Sequence, residues 1–456
     1  MTRLRRGAPA ALLPLLTLLA LPELACGGDR PATDGADGDA GGTLGTESGD
    51  DGSGSDESGD ATADGTGDGD GDGDPGDGDG DGDDGLVVAF GPGALIIPMD
   101  TDFQDMGMLE AYGLLYQLLL AKVPVSWAIA PGKELGDVDF TTSAVDLRSG
   151  AEVLDHGYRG GPFVVHPDDV ALALPVVQDW LDANPNTNVH EASAPFEVFV
   201  ARYLLQAPTI AIFADGNEDI ARGYLLAAKI PDSTGDLSWP DDSPDLLDVD
   251  EVAGPSDVDH QDGALFGGKE APIYCQFMSM HWGINEALNN PEVVAEVGQY
   301  LRFSTHFFAE CQAVNAFENH PEFGHFLTPN GLEIADRPTT YDFYRMDTPF
   351  GQHDGSFESV GGSEPAYTLP AGDSYLESDT TIISEAGTAE GVADVWMTGF
   401  RNGQCPASAK VCPGAGKISY LGGHAYDTKL PISQNPTTVG VRLFLNSLFE
   451  APCTFK

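Results

Sequence analysis

From residue 86 onward the sequence predicts an α/β fold: a three-layer sandwich around a mostly parallel sheet, with a long irregular insertion over about residues 319–379. Three observations predict it. Short apolar runs alternate with amphipathic segments, the pattern of strands interleaved with helices. Within the amphipathic segments the apolar residues recur at helical spacing. Polar and nucleophilic residues gather directly after the apolar runs, at the strand ends where open parallel sheets bind ligands.

The elements follow in order. Residues 94–98 are apolar enough for a buried strand, and the polar run Met99 to Asp105 leads to a helix over about 107–121. There Met108, Leu109, Tyr112, Leu115, Tyr116 and Leu119 share a face, so both tyrosines belong to the core. Residues 123–129 and 162–165 are strands, and 168–182 a helix. The apolar run 209–214 is a further strand, ending in Asp215, Asn217 and Glu218 before a helix that reaches residue 228. Strand 273–280 ends at His281; 291–301 is a helix with proline in its first turn. Strand 305–309 runs straight into Glu310 and Cys311, and a late strand, 417–421, runs into Gly422, Gly423 and His424. A helix over about 438–449 follows. Residues 86–456 are expected to form one such domain, with no internal repeat.

The first 25 residues carry Arg3, Arg5 and Arg6 and then an apolar stretch too short to span a bilayer, the parts of an export signal. Cys26 directly follows the small Ala25, and in this it resembles lipoprotein signal sequences, although Glu23 stands where those usually have leucine. The resemblance implies lipidation at Cys26 and, with Gly27 next, an address at the outer membrane. The plainer alternative is a secreted chain cut near Ala25. Residues 27–85 hold 20 acidic residues and one basic one among Gly, Ser, Thr and Ala, a composition expected to stay extended and solvated as a tether.

The remaining 371 residues hold 52 acidic and 17 basic residues, which argues against nucleic-acid partners. Beyond Cys26 there are Cys275, Cys311, Cys405, Cys412 and Cys453. Cys405 and Cys412 flank a short loop and form a natural local disulfide; among Cys275, Cys311 and Cys453 at least one thiol is left free, and Cys311 is either a buried thiol or disulfide-bonded, for example to Cys275. With no Cys-x-x-Cys pair, a cysteine-built structural zinc site is not expected.

Strand, nucleophile, small neighbours and immediate helix make Ala309-Glu310-Cys311-Gln312-Ala313 resemble a nucleophile elbow, in which the helix start is expected to lower the thiol pKa. His424 then suits the base. On these residues the chain is similar to the class I glutamine amidotransferase-like superfamily, whose flavodoxin-like sheet carries Cys on an elbow and His after a later strand. The resemblance implies a hydrolase with Cys311 as nucleophile, His424 as base and Glu310 or Asp215 as orienting acid. It departs from the family in lacking glycines around the cysteine and His-Pro-Glu after the late strand; His320-Pro321-Glu322 falls too early.

Two other readings use the same edge. Asp100 or Asp102 with His281 and His424 form a candidate ligand set for a divalent metal activating water, and Asp100-Thr101-Asp102 with His320 and His325 faintly resembles carbohydrate deacetylases, whose histidines usually stand four residues apart rather than five. Alternatively the domain is a non-catalytic binding or adhesion module. Asp100, Asp102, Asn217, Glu218 and His281 would then line a cleft, and Tyr341, Phe343, Tyr344, Phe350, Phe357 and Tyr367 would offer a face to carbohydrate or peptide. The favoured expectation is a surface-anchored hydrolase acting on envelope or extracellular material.

Overall fold

The structure is a computed structural model describing residues 86–256, 258–386 and 392–454. The export signal, Cys26 and the acidic tether lie outside the described residues. In chain order the elements begin with β1 (Leu86–Phe90), β2 (Leu95–Ile97), α1 (Thr101–Gln104), α2 (Met108–Leu120), β3 (Val125–Ala128), β4 (Val138–Asp146), β5 (Glu152–Arg159) and β6 (Phe163–Val165). Then come α3 (Val170–Ala183), β7 (His190–Ala192), β8 (Phe196–Leu204), β9 (Ile210–Phe213), α4 (Glu218–Ala228), β10 (Leu246–Leu247), α5 (Val249–Ala253) and β11 (Gln276–Ser279). The rest are α6 (Ile284–Asn289), α7 (Pro291–Tyr300), β12 (His306–Glu310), α8 (Gln312–Glu318), β13 (Glu333–Ala335), β14 (Tyr341–Phe343), β15 (Ala366–Thr368), β16 (Thr381–Glu385), β17 (Asp394–Phe400), β18 (Lys417–Leu421) and α9 (Thr438–Phe449).

These strands make two sheets, and the expected three-layer sandwich around one mostly parallel sheet is wrong. The first sheet has the order β1-β8-β3-β6-β2-β7-β4-β5 and curls into a half-barrel whose pairings are antiparallel. The second is mixed: β10-β9-β11-β12-β18 run parallel, and β17, β15 and β13 extend it antiparallel. The supposed insertion is not wholly irregular, since β13, β14 and β15 fall within it.

The physical reason for the error is visible in β2, α2 and β3. The two strands do run parallel, as a strand–helix–strand unit should. They are not neighbours, however, because β6 sits between them, antiparallel to both. Both faces of β2, β3 and β6 are covered, so each reads as a continuous apolar run, the mark otherwise left by a parallel strand. The long hairpin β4–β5 instead mixes buried positions with half-buried and exposed ones.

Helices α2 and α9 fill the space between the sheets. One core cluster takes in Leu95, Ile97, Trp127 and Phe163 from the first sheet and Met278, Phe308, Trp396 and Leu421 from the second, joined through α2 and α9. All twelve residues of α9 are buried, including Arg442 and Asn446, whose side chains donate to the carbonyls of Gly160 and Gln352 at 2.7 Å each. Just past α9, Glu450 accepts from Arg202 of β8 (2.5–3.0 Å) and from Lys417 of β18 (2.5 Å), tying the sheets together. Burial pushes the Lys417 amine down to about 8 even so. Cys275 is bonded to Cys453, and Cys405 to Cys412.

Removing the shared acid should be costly. Glu450→Gln leaves two buried cations without their carboxylate, and the expected loss is about 3–5 kcal/mol in denaturant unfolding. A loss under 1 kcal/mol would show the junction to be dispensable.

Buried acids also predict a pH profile. Glu296, with no exposed surface, accepts only from the Gly263 amide at 3.0 Å, and burial pushes its carboxyl up to about 8; burial likewise pushes Asp394 up to about 6. Acids raised on folding contribute stability that is complete below the unfolded value and is lost as pH rises through the folded one. His190 and His353, pushed down to about 4, act oppositely, losing their contribution only as pH falls below about 6.5. Thermal unfolding should therefore occur at higher temperature at pH 6.5 than at pH 8.5. Glu296→Gln should flatten that slope; an unchanged slope would place the titration elsewhere.

Candidate active site

The parallel strands β11, β12 and β18 lie side by side, with Ser279 level with Ala309 and Glu310 level with Leu421. Three residues just past their carboxyl ends therefore meet: His281, Cys311 and His424. A ring nitrogen of each histidine and Cys311 Sγ all lie within 4.8 Å of one another. The two rings are 4.3 Å apart between centroids and tilted by 60°.

Cys311 sits at φ 55°, ψ −131°, a conformation that side chains other than glycine rarely adopt, directly before the first turn of α8. Tyr367 pins this turn by donating to the Cys311 carbonyl at 2.7 Å, and the Cys311 amide donates to Leu421 O at 3.2 Å. The strained turn is the elbow expected from sequence, but its electrostatics are not. Cys311 has no exposed surface, and burial pushes its thiol up to about 11. The short helix α8 does not offset that desolvation. Cys311 is a free thiol, separate from the Cys275–Cys453 bond.

The two expected orienting acids accept from amides and hydroxyls around the histidines. Asp215 Oδ2 accepts from Ser279 Oγ (2.8 Å) and from the amides of Met280 (2.9 Å) and His281 (3.1 Å), fixing the loop that carries His281. Glu310 Oε1 accepts from the Ala425 amide at 2.8 Å, next to His424, and Tyr224 donates to both Glu310 oxygens at 3.1–3.3 Å. Fully buried, Glu310 has its carboxyl pushed up to about 8. Neither histidine's Nδ1 has a hydrogen-bond partner. Burial lowers both ring pKa values, and His281 lowers that of His424 further.

A strap over residues 360–364 covers the thiol. Ser363 Oγ lies 3.6 Å from Cys311 Sγ and accepts from Gln312 Nε2 at 3.0 Å. The Gly423 amide donates to Glu364 O at 2.9 Å. Gly362 allows the approach: at φ +121°, a Cβ there would stand 2.7 Å from His424 Cβ and 3.5 Å from Cys311 Sγ. Gly423 is similarly confined, its Cβ position 2.7 Å from Val360 Cγ2. Sequence reasoning missed the strap, since nothing in Gly361-Gly362-Ser363-Glu364 marks it apart from any other turn.

Other expected site residues lie elsewhere. Asn217 precedes α4, and Glu218 accepts from the Gly216 amide at 2.8 Å. The metal set drawn from Asp100, Asp102, His281 and His424 does not form, because the aspartates group with His156 instead. His156 Nε2 is 3.1 Å from Asp100 Oδ2, while Arg159 lies 3.1 Å from Asp102 and 3.5 Å from Asp354. Arg159 already supplies the balancing charge at that second group. His320 accepts from the amides of Glu322 and Phe323 and caps a turn. Of the supposed aromatic face, Phe350, Phe357 and Tyr367 are core residues, Tyr341 and Phe343 are half-buried, and only Tyr344 is exposed.

The described residues thus offer two groups whose side chains could hold a metal ion, one of them at the thiol. Comparison with family models, curated proteins and solved structures finds no match to this chain.

The strap's fit makes a prediction. Gly362→Ala forces a methyl group against His424, and overpacking of this kind costs about 1–3 kcal/mol. The closed strap should lose population by roughly ten- to a hundredfold, and Cys311 should be alkylated by iodoacetamide faster by a similar factor. Unchanged alkylation would mean that the strap does not control access.

Proposed function

We propose that this domain is a thiol hydrolase of the acyl-transfer kind. The exported chain is held at the outer membrane by lipid on Cys26, and it works at the end of its acidic tether on envelope or extracellular amides or esters. The observation that carries the reading is the strained turn holding Cys311 within 4.8 Å of a His424 ring nitrogen.

The chemistry follows from the positions. With the strap lifted, Cys311 Sγ attacks the carbonyl carbon of the substrate while its proton passes to His424. The tetrahedral oxyanion accepts from nearby donors, and Gln312 Nε2 loses its Ser363 partner at that moment and becomes free to serve. Collapse expels the alcohol or amine, which takes the proton from His424, and leaves a thioester on Cys311. Water, deprotonated by His424, then releases the acid and the thiol. Glu310 and Asp215 are positioning residues: each holds the main chain at or beside one histidine.

The complete burial of Cys311 favours a second reading, a catalytically silent binding module on the same fold. A panel of activated esters and amides, followed by mass spectrometry of Cys311, separates the two. The hydrolase reading expects a thioester adduct on Cys311, turnover abolished by Cys311→Ser, and turnover reduced roughly 10²–10⁴-fold by His424→Ala. Turnover that survives Cys311→Ser, or no adduct even in Gly362→Ala, overturns it.

A further inference from the structure

We infer that His281, Cys311 and His424 form a capture site for a thiophilic divalent metal ion of the zinc class, and that the ion masks the thiol. The inference shares two residues with the acyl-transfer reading but does not need catalysis to occur.

Three observations carry it. The donors are one thiol sulfur and two imidazole nitrogens, a set that suits borderline-soft ions and gives poor company to magnesium or calcium. They come from three adjacent strand ends fixed by one parallel register, so their meeting is built into the sheet. The imidazoles also lack the hydrogen bonds that buried rings ordinarily make: Nδ1 of His281 and Nδ1 of His424 are both buried and unpartnered. A general base needs one histidine, and no carboxylate hydrogen-bonds the Nδ1 of either ring here. A second histidine, 4.3 Å from the first between centroids and equally unpartnered, has no place in that scheme. A shared cation accounts for both.

The geometry needs little adjustment. Tetrahedral zinc, with bonds of about 2.3 Å to sulfur and 2.0–2.1 Å to nitrogen, puts its donors roughly 3.3–3.6 Å apart. The present donors lie within 4.8 Å of one another, so the set has at most about 1.2–1.5 Å to contract around an ion. Both histidines are half-buried rather than enclosed, so each keeps some surface open to solvent. As the metal–sulfur bond forms, the thiol proton is released to solvent. The sulfur lone pair shared with the ion is less available to attack a carbonyl, so the bound ion damps the nucleophile.

Cobalt(II) titration of the purified protein tests this, because thiolate-to-cobalt charge transfer gives a near-ultraviolet band that carboxylates of the acidic tether cannot produce. The expected result is that band at one equivalent, with intense visible bands of four-coordinate cobalt, and displacement by equimolar zinc but not by millimolar magnesium or calcium. Cys311→Ser should remove the charge-transfer band, and His281→Ala should weaken cobalt binding at least tenfold, with circular dichroism confirming that both fold. Zinc should also slow Cys311 alkylation at least tenfold, reversed by a chelator. A weak six-coordinate spectrum, the same in wild type and Cys311→Ser, overturns the inference. If the band appears while chelated protein forms no thioester, the hydrolase reading fails alone; if chelated protein acylates and no band appears, the metal site fails alone.

Discussion

The parallel pairing of β11, β12 and β18 is the constraint on which the site depends. Hydrogen bonding fixes the register of these three strands, and that register puts their carboxyl ends level. Everything chemical then sits within a few residues of a strand end, so a shift of any one strand would separate the group. The loops are too short to wander, and two of them are further held by acids. Asp215 collects three donors at the turn before His281, and Glu310 collects the Ala425 amide and the Tyr224 hydroxyl beside His424. Tyr224 in turn accepts from the Tyr426 amide at 2.7 Å. Burying a carboxyl is tolerable here because its partners are fixed dipoles, and for Glu310 because the raised pKa favours the neutral form.

Helix α9 carries that constraint into the rest of the molecule. Its Phe444 meets Phe308 of β12 edge-on at 5.0 Å and Tyr224 at 5.2 Å, so it supports both the strand that ends in Cys311 and the residue that holds Glu310. Tyr112 of α2 donates to Asn446 at 2.5 Å, locking the two central helices together. The half-barrel is then joined to the mixed sheet through Glu450, which faces one cation from each. The first sheet thus contributes no site residue at the thiol, yet it packs against the helices that hold the thiol's strand in place.

Which parts were legible follows from which physical signals are local. The strand ends after 213, 279, 310 and 421 could be read, because an apolar run stopping at a polar or nucleophilic residue is written in consecutive positions. The elbow could be read from Ala309 to Ala313 for the same reason. Strand direction could not, since β6 fills the gap between β2 and β3 without leaving a trace in either. The grouping of Asp100 with His156, across the first sheet, likewise depends on a pairing between distant residues. Glu310 and Asp215 were recognised as important acids, but their actual hydrogen-bond donors, amides and hydroxyls from other elements, are set by distant pairings that the sequence does not show. The strap was invisible because its role rests on the absence of one Cβ at Gly362.

Burial of Cys311 answers a requirement that either use of the thiol would impose. Among the described cysteines the other four are paired in disulfides, so Cys311 is the one thiol left to react. In conditions that sustain disulfides, an exposed thiolate would be oxidised or captured by another thiol. A thiol pushed up to about 11 and roofed by residues 360–364 escapes that fate, because it is neither ionised nor reachable. The raised pKa is therefore no argument against a reactive cysteine here. It is the property of the covered arrangement, in which Gly362 lets residues 360–364 settle against His424 and Cys311. Lifting that one segment would expose the sulfur, free the Gln312 amide and leave the histidine pair where the sheet put it.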